Sequence, residues 1–496
     1  MKILSAVQIR EVDAKTIDYE AISSIDLMEG AAMSFTDWFI ENYALQEAPI
    51  VVVCGRGNNG GDGLAVGRLL QGRGYAVRVY LMPGETLSAD CAENLRRAKT
   101  SGVDVRQIVS PEEITLSDAA VVIDAIFGSG LNRELLGLPA ELVQRINESG
   151  KPIVSIDVPS GLFLDRKTSF AVHATDTITF QIPKFALYLP ENSVFVRNVR
   201  VINIGLSKKA IGEVETDIFF TETADIKNRL KPLSKFAHKG TQGHTLVIGG
   251  SFGKTGAVCL AAKAALKSGC GLVTAFLPGC GVPVIQSNFP EAMAVSDKNE
   301  HHISDILFDV KPDAIAIGVG MGRDEDTQMA FYLFLLDNLV PLVIDADGLN
   351  ILSEHEDWLY FLPPKTILTP HPKELSRLIG GWADDFDKIA RVRAFVRKYD
   401  LVLVVKGAYS LVLDSENVFV NASGSPALAT AGSGDVLSGI IAGLLAQGYA
   451  PIDAARIGVF LHGLTADVSA KKIHSRSFVA TDIIENIGNA YFEVEK

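Results

Sequence analysis

The sequence predicts an α/β protein built from two parallel-sheet domains. Three observations lead there. The chain has 496 residues, too many for one ordinary core, so two or three domains are expected. Short apolar runs that read as buried strands alternate with segments of helical period, the pattern of a mostly parallel sheet with helices on both faces. Those runs end repeatedly in glycine, aspartate, asparagine or lysine, which makes the carboxyl edge of each sheet the expected working edge.

Composition narrows the function classes. Hydrophobic residues make up 48% of the chain and glycines number 44, as in a well-buried α/β enzyme. The formal charge of −13, with no block of Lys and Arg, argues against nucleic acid and against an anionic membrane as partner. The five cysteines (Cys54, Cys91, Cys259, Cys270 and Cys280) form no CxxC pair. An odd total without a signal peptide points to a reducing cytoplasm. No apolar stretch approaches the ~20 residues that span a bilayer.

In order along the chain, residues 3–17 and 23–43 read as amphipathic helices, with Ser5 and either Ser24 or Asp26 as N-caps. A buried strand, Ile50 to Cys54, runs into GRGNNGGDG and a helix. Its GxGxxG spacing between strand and helix is the context of a dinucleotide fingerprint. The ribose-binding acid expected after the next strand is missing, since Met82, Pro83 and Gly84 stand there, so ordinary NAD-dehydrogenase binding is not expected. Two further strands end in Asp124 and Asp157. Asn58, Asn59, Asp62, Asp124, Asp157 and Ser160 can therefore converge at one carboxyl edge; alternatively each aspartate caps its own loop.

Together GRGNNGGDG, FGSGLNRE and IDVPSG resemble the YjeF N-terminal domain, the NAD(P)H-hydrate epimerase family, over most of residues 1–220. The resemblance implies a site for hydrated NADH and NADPH (NADHX and NADPHX) at Asn58, Asn59, Gly60, Gly61, Asp62, Gly128, Ser129, Gly130, Leu131, Asn132, Arg133, Glu134 and Asp157. It also implies a potassium ion held by Asn59, Asp124 and Ser160, oxygen donors that suit a hard cation. Epimerisation at C6 requires the hydroxyl to leave and return, or the ring to open and close. Either route needs an acid/base group, and Asp157 is the candidate.

Residues 205–239 lose the sustained apolar period and gain Lys and Glu, marking a join near residue 224 and domains of 1–224 and 225–496. Beyond it, strand 244–250 enters a glycine-rich turn. Gly253, Lys254 and Thr255 do not complete a P-loop, because its leading glycine would fall at Ile248. Strands within 313–322, 341–352, 365–375 and 400–413 follow, with Gly320, Asp345 and Asp347, His371 and Glu374, and Lys406 at their ends. Asp345 and Asp347 can hold magnesium or fix their loop. Ala431 to Asp435 then lead into an apolar helix, so Gly434 and Asp435 are expected at a helix N-terminus suited to phosphate. A carboxylate there is either a base for a substrate hydroxyl or a helix cap.

HKGTQGHTLVIGGS, GVGMG, DADGLN, LTPHPKE, VVKG and AGSGD are similar, in order, to the ADP/ATP-dependent NAD(P)H-hydrate dehydratase family over residues 235–490. The fold this implies is ribokinase-like, after an N-terminal Rossmann-like three-layer domain. The resemblance implies that Lys406, Gly407, Ala408, Tyr409, Ser410 and Gly434 bind the adenine nucleotide, and that Ala257, Gly320, His371 and Asp435 meet the hydrated cofactor. The expected function is repair: the R and S forms are interconverted, and the S form is dehydrated at the expense of ADP, with Mg2+, giving AMP and phosphate. Asp435 would be the base. The alternative is a small-molecule kinase with a non-catalytic N-terminal binding domain. The expected partners are these small molecules and further copies of the chain in a homo-oligomer.

Overall fold

The computed structural model describes residues 1–496. They divide into two compact units, Met1–Thr216 with Asp384–Phe386, and Asp217–Ala383 with Asp387–Lys496. The division precedes the expected join at residue 224 because residues Ile218–Thr221 form a strand of the second unit's sheet.

The N-terminal unit contains strands β1 (Ile50–Cys54), β2 (Val77–Leu81), β3 (Asp104–Gln107), β4 (Val121–Ala125), β5 (Ile153–Ile156), β6 (Ala174–Phe180) and β7 (Val196–Ile202). They pair in the order β3-β2-β1-β4-β5-β6-β7, all parallel. This is the doubly wound order, with its switch point between β1 and β4, where a crevice opens beyond the strand ends. Both faces are covered. Val52 and Cys54 pack with Leu64 and Val66 on one side, and Val51 and Val53 with Leu142 and Ile146 on the other, which is why these strands read as unbroken apolar runs. The first two helices are Ala6–Glu20 and Ser24–Asn42. Ser5 caps the first. The second is capped by Ser23, not by Ser24 or Asp26: the Asp26 amide donates to Ser23 Oγ at 3.3 Å and the Asp26 carboxylate accepts from the Ser23 amide at 3.2 Å.

The second unit contains β8 (Ile218–Thr221), β9 (His244–Ile248), β10 (Leu272–Leu277), β11 (Met293–Ser296), β12 (Ala314–Ile317), β13 (Leu342–Ile344), β14 (Ile367–Leu368), β15 (Val402–Val405), β16 (Leu411–Leu413) and β17 (Val418–Asn421). The order is β11-β10-β9-β12-β13-β14-β15-β16-β17-β8. Pairing is parallel as far as β15, and β16 and β17 then add antiparallel hairpin strands. Its switch point lies between β9 and β12. No helix in either unit is long and apolar enough to cross a membrane, and all five cysteines are free.

Helix Ser433–Ala446 of this unit lies directly against helix Thr255–Lys267, and small residues set the distance. A Cβ on Gly439 would sit 2.1 Å from the Ala261 carbonyl oxygen, and one on Gly443 2.5 Å from that of Ala265. Alanine is ordinarily the better helix former by about 1 kcal/mol. Here the backbone clash reverses the sign. Gly439→Ala should destabilise the C-terminal unit by about 1–3 kcal/mol, measured by urea unfolding; an unchanged or raised midpoint would show that the helices separate freely.

Candidate active sites

The N-terminal site grows from the turn after β1. Gly55 and Gly60 are there because the backbones touch: a Cβ on Gly60 would lie 2.0 Å from the Gly55 carbonyl oxygen, and one on Gly55 1.9 Å from that of Ile126. The turn opens helix Asn58–Gly72, whose first turn carries Asn58, Asn59 and Asp62 into a cavity of about 570 Å³. Gly128, Ser129, Gly130, Leu131, Asn132 and Arg133 line the same cavity, as does Asp157. Gly60 and Gly61 are instead buried beneath it, Gly61 against Met28, and Glu134 is exposed, outside the lining.

Asp124 is fully buried in β4. Its carboxylate accepts from Ser155 Oγ at 2.8 Å, the Ser160 amide at 2.8 Å, Ser160 Oγ at 2.5 Å and the Ile126 amide at 3.3 Å. All these donors are neutral, so burial pushes its pKa up and the serine and backbone hydrogen bonds offset this only in part. Asn59, half-buried, adds a side chain whose buried Nδ2 has no hydrogen-bond partner, with its Oδ1 3.0 Å from where a Cβ on Gly128 would sit. A buried carboxylate, a hydroxyl and an amide oxygen without a paired positive charge form a donor set that fits a hard monovalent cation.

Asp157 follows β5 with φ +65°. Lys184, only 1% exposed, donates to its Oδ1 at 2.6 Å and to the Phe180 carbonyl at 3.0 Å. Burial raises the Asp157 pKa, but the Lys184 charge and hydrogen bond, together with hydrogen bonds from the Phe180 amide and Ser129, more than reverse this and hold the carboxyl below its ordinary value. Two other carboxyls share the cavity with the opposite fate. Burial and the Asp157 charge push Asp13 up to about 6, and the same two causes push Asp62 well above the carboxylate range. Sequence reasoning missed Lys184 and Asp13. Lys184 had a signal, a lone cation inside the apolar run from Ile182 to Leu189; Asp13 had none, because a charge on an amphipathic helix reads as solvated.

The C-terminal site lies beyond β9, β12, β13 and β15. Asp345 caps helix Ala346–Glu354; it accepts from Lys406 Nζ at 2.7 Å and from Ser438 Oγ at 2.6 Å. Gly432, at φ +82°, turns the chain into helix Ser433–Ala446. A Cβ on Gly434 would come within 3.2 Å of Lys406 Nζ, so the ammonium stands at that helix's N-terminus. Asp435 is in its first turn, where burial and then the Asp345 charge push its pKa up to about 6 against the pull of Lys406. Its neighbour Ser433 is tied down by His462, whose Nε2 lies 3.0 Å from the Ser433 carbonyl oxygen and 3.2 Å from its Oγ. Burial keeps His462 neutral, with its pKa near 4.

Gly320 (φ +60°) is brought against Lys254 and Ala257, where an added Cβ would fall 2.7 Å from the Lys254 carbonyl oxygen and 3.2 Å from Ala257 Cβ. Asp347 accepts from the Gly322 amide at 2.9 Å, fixing the neighbouring loop. His371 caps helix Pro372–Ile379; its Nδ1 accepts from the Lys373 and Glu374 amides, which leaves Nε2 outward, 3.4 Å from Glu374. Lys406, Gly407, Ala408, Tyr409 and Ser410 form the turn between β15 and β16, closed by the Gly407 amide donating to Ser410 Oγ at 3.3 Å. No three His, Cys, Asp or Glu side chains gather as a protein-only metal cage; Asp345 and Asp347 are carboxylates of the hard-oxygen type that magnesium takes beside phosphates.

Fold and sites together define a class: two doubly wound α/β units, one with a carboxylate–lysine cavity and one with a lysine and a carboxyl gathered at a helix N-terminus. Residues 245–489 match the family described as NAD(P)H-hydrate dehydratase, and residues 24–186 the YjeF-related protein N-terminus. The chain is 34% identical to the bifunctional NAD(P)H-hydrate repair enzyme Nnr of Moorella thermoacetica, over 98% of this chain and 96% of that one. It is 35% identical to the Nnr of Coxiella burnetii, over 97% of each. A ribokinase-like superfamily protein from Enterococcus faecalis superposes on 57% of this chain and 99% of its own with a TM-score of 0.51 at 24% identity, a likeness of fold. The chain belongs to the bifunctional NAD(P)H-hydrate repair enzyme family, Nnr.

The Lys184–Asp157 pair generates a test. Removing one partner of a buried pair strands the other charge, at a cost of about 3–5 kcal/mol. Lys184→Met should therefore destabilise the chain by that order in urea unfolding, and adding Asp157→Asn should recover most of the loss. Because the folded-state pKa of Asp157 is depressed, the pair's contribution is present above about pH 4 and is lost as pH falls through the folded value.

Proposed function

We propose that this chain repairs hydrated nicotinamide cofactors. The unit Met1–Thr216 interconverts the R and S forms of NADHX and NADPHX, and the unit from Asp217 onward dehydrates the S form with ADP as co-substrate. The observation that carries this reading is similarity along nearly the whole chain to enzymes named for both activities, joined to a complete polar set at each sheet's carboxyl edge.

In the C-terminal site the Asp435 carboxylate takes the proton of the C6 hydroxyl as its oxygen bonds to the terminal phosphorus of ADP and AMP departs. Its raised pKa suits a group that must accept a proton near neutrality. Lys406, Gly434 and the helix N-terminus face the charge on the transferring phosphoryl group. The C6–O bond then breaks with its electron pair leaving on phosphate, the ring nitrogen supplies the pair that replaces it, and loss of a C5 proton restores the dihydropyridine. Magnesium, when bound on the phosphates beside Asp345 or Asp347, supplies charge neutralisation. The turn from Lys406 to Ser410 holds the nucleotide, while Ala257, Gly320 and His371 hold the hydrated ring. In the N-terminal site potassium, when held by Asn59, Asp124 and Ser160, supplies the positive charge that their buried oxygens face.

The test follows reduced-nicotinamide absorbance after mixed NADHX epimers are added with Mg2+, K+ and ADP. Full recovery of NADH with release of AMP and phosphate is expected; a stable phosphoester product would make the chain a kinase instead. Asp435→Asn should keep nucleotide binding and lose about 100-fold or more in turnover. It should also raise stability at pH 7 by about 1–3 kcal/mol, because a carboxyl whose folded pKa is raised opposes folding once it must ionise. Unchanged turnover would exclude Asp435 as the base.

A further inference from the structure

Epimerisation returns every proton it borrows, so it needs an acid and a base together, and the candidate site so far has only one assigned group. Helix Ala6–Glu20 places a second carboxyl in the same cavity. Ile9 and Val12 bury their side chains with Ile182, Leu206, Ala210 and Val214, and the Ser207 amide donates to Thr16 Oγ1 at 3.1 Å. The helix is thus clamped to the segments on either side of Lys184. Ile9, Arg10 and Asp13 line the cavity with Asp62, Asp157 and Lys184. The charged groups that face Asp13 are Asp157, Lys184 and Asp62 from the other elements and Arg10 from its own helix. Lys209 and Glu213 face the helix further along, at Tyr19 and at Lys15 with Tyr19 respectively.

We propose that Asp13 is a second catalytic carboxyl of the N-terminal site, giving a proton to the ring nitrogen while Asp157 takes the proton of the C6 hydroxyl. The assignment rests on the epimerase reading above. The Asp157 carboxylate removes the hydroxyl proton, and the O–H electron pair forms the C6=O bond. The C6–N1 bond breaks with its pair on N1, and N1 takes the proton of the Asp13 carboxyl. Rotation about C5–C6 turns the other face of the aldehyde inward. Closure re-forms the C6–N1 bond, returns the N1 proton to Asp13 and moves the Asp157 proton to the C6 oxygen, so nothing is gained or lost.

The three carboxyls of the cavity differ in their surroundings. Lys184 commits its charge to Asp157, which serves as the base. Asp62 is the more deeply buried of the other two, set in the helix after β1, with burial and the Asp157 charge pushing its pKa up. Asp13, at about 6, exchanges its proton near neutrality, and environments that push carboxyl pKa values apart are what assign acid and base roles.

The experiment measures exchange between the two NADHX epimers without nucleotide, using the full chain from pH 5 to 8. Wild-type kcat/KM should fall about tenfold per pH unit above pH 6, as Asp13 loses its proton. Asp13→Asn should lower exchange at pH 6 by about 100-fold or more and abolish that descending limb, and Asp13→Glu should restore it. ADP-dependent dehydration and thermal unfolding of the variant serve as controls for folding. Exchange by Asp13→Asn at the wild-type rate, with the same limb, would overturn the assignment and leave the epimerase reading intact. No exchange by the wild type would overturn both.

Discussion

In each unit one lysine is shared among several carboxylates that the parallel sheet crowds at its carboxyl edge, and much of the chemistry follows from how that charge is divided. Lys184 bonds to Asp157 and Lys406 to Asp345. Carboxyls left without the lysine, Asp13 and Asp62 in one site and Asp435 in the other, are desolvated beside a charged neighbour and pushed up, Asp13 and Asp435 to about 6. At an effective dielectric constant of 20, two like charges 4 Å apart repel by about 4 kcal/mol, enough to keep neighbouring carboxyls from ionising together. A single ammonium therefore sets which oxygen is charged and which carries an exchangeable proton.

That arrangement needs the edges to be built tightly. At the β1 turn the chain passes so close to itself that Gly55 and Gly60 admit no side chain. In the second unit Gly432, Gly439 and Gly443 do comparable work along one helix, the first turning the chain and the others setting the approach to helix Thr255–Lys267. Asp435 sits in the first turn of helix Ser433–Ala446, where burial raises its pKa.

The strands were legible because both sheets are covered on both faces, so β1, β4, β9 and β15 read as unbroken apolar runs with punctuated ends. The glycine turn after β1 and the aspartates Asp124 and Asp157 were legible for the same reason: each ends or directly follows a strand, so the parallel sheet delivers it to the carboxyl edge; the helix start at Ser433 was legible instead from its own glycines and the apolar run behind them. What the sequence hid are partners that arrive by packing. Asp13 comes from a helix before the first strand, Lys184 from beyond β6, and Ser438 and His462 from helices of the second core. The β8 strand also escaped, because Ile218–Thr221 pairs with β17, some two hundred residues away.

On the proposed reading the two sites use one electrostatic device toward opposite ends. Interconversion of epimers has no thermodynamic pull, so the N-terminal site requires an acid and a base that both recover their starting protonation, which a lysine-held Asp157 and a lysine-deprived Asp13 provide. Dehydration must be driven, so the C-terminal site requires only a base and a better leaving group, and Lys406 is spent on the nucleotide side. Asp435 then works as a carboxylate beside phosphates that would repel it, and the raised affinity for a proton that burial and Asp345 give it is what draws the proton from the substrate hydroxyl.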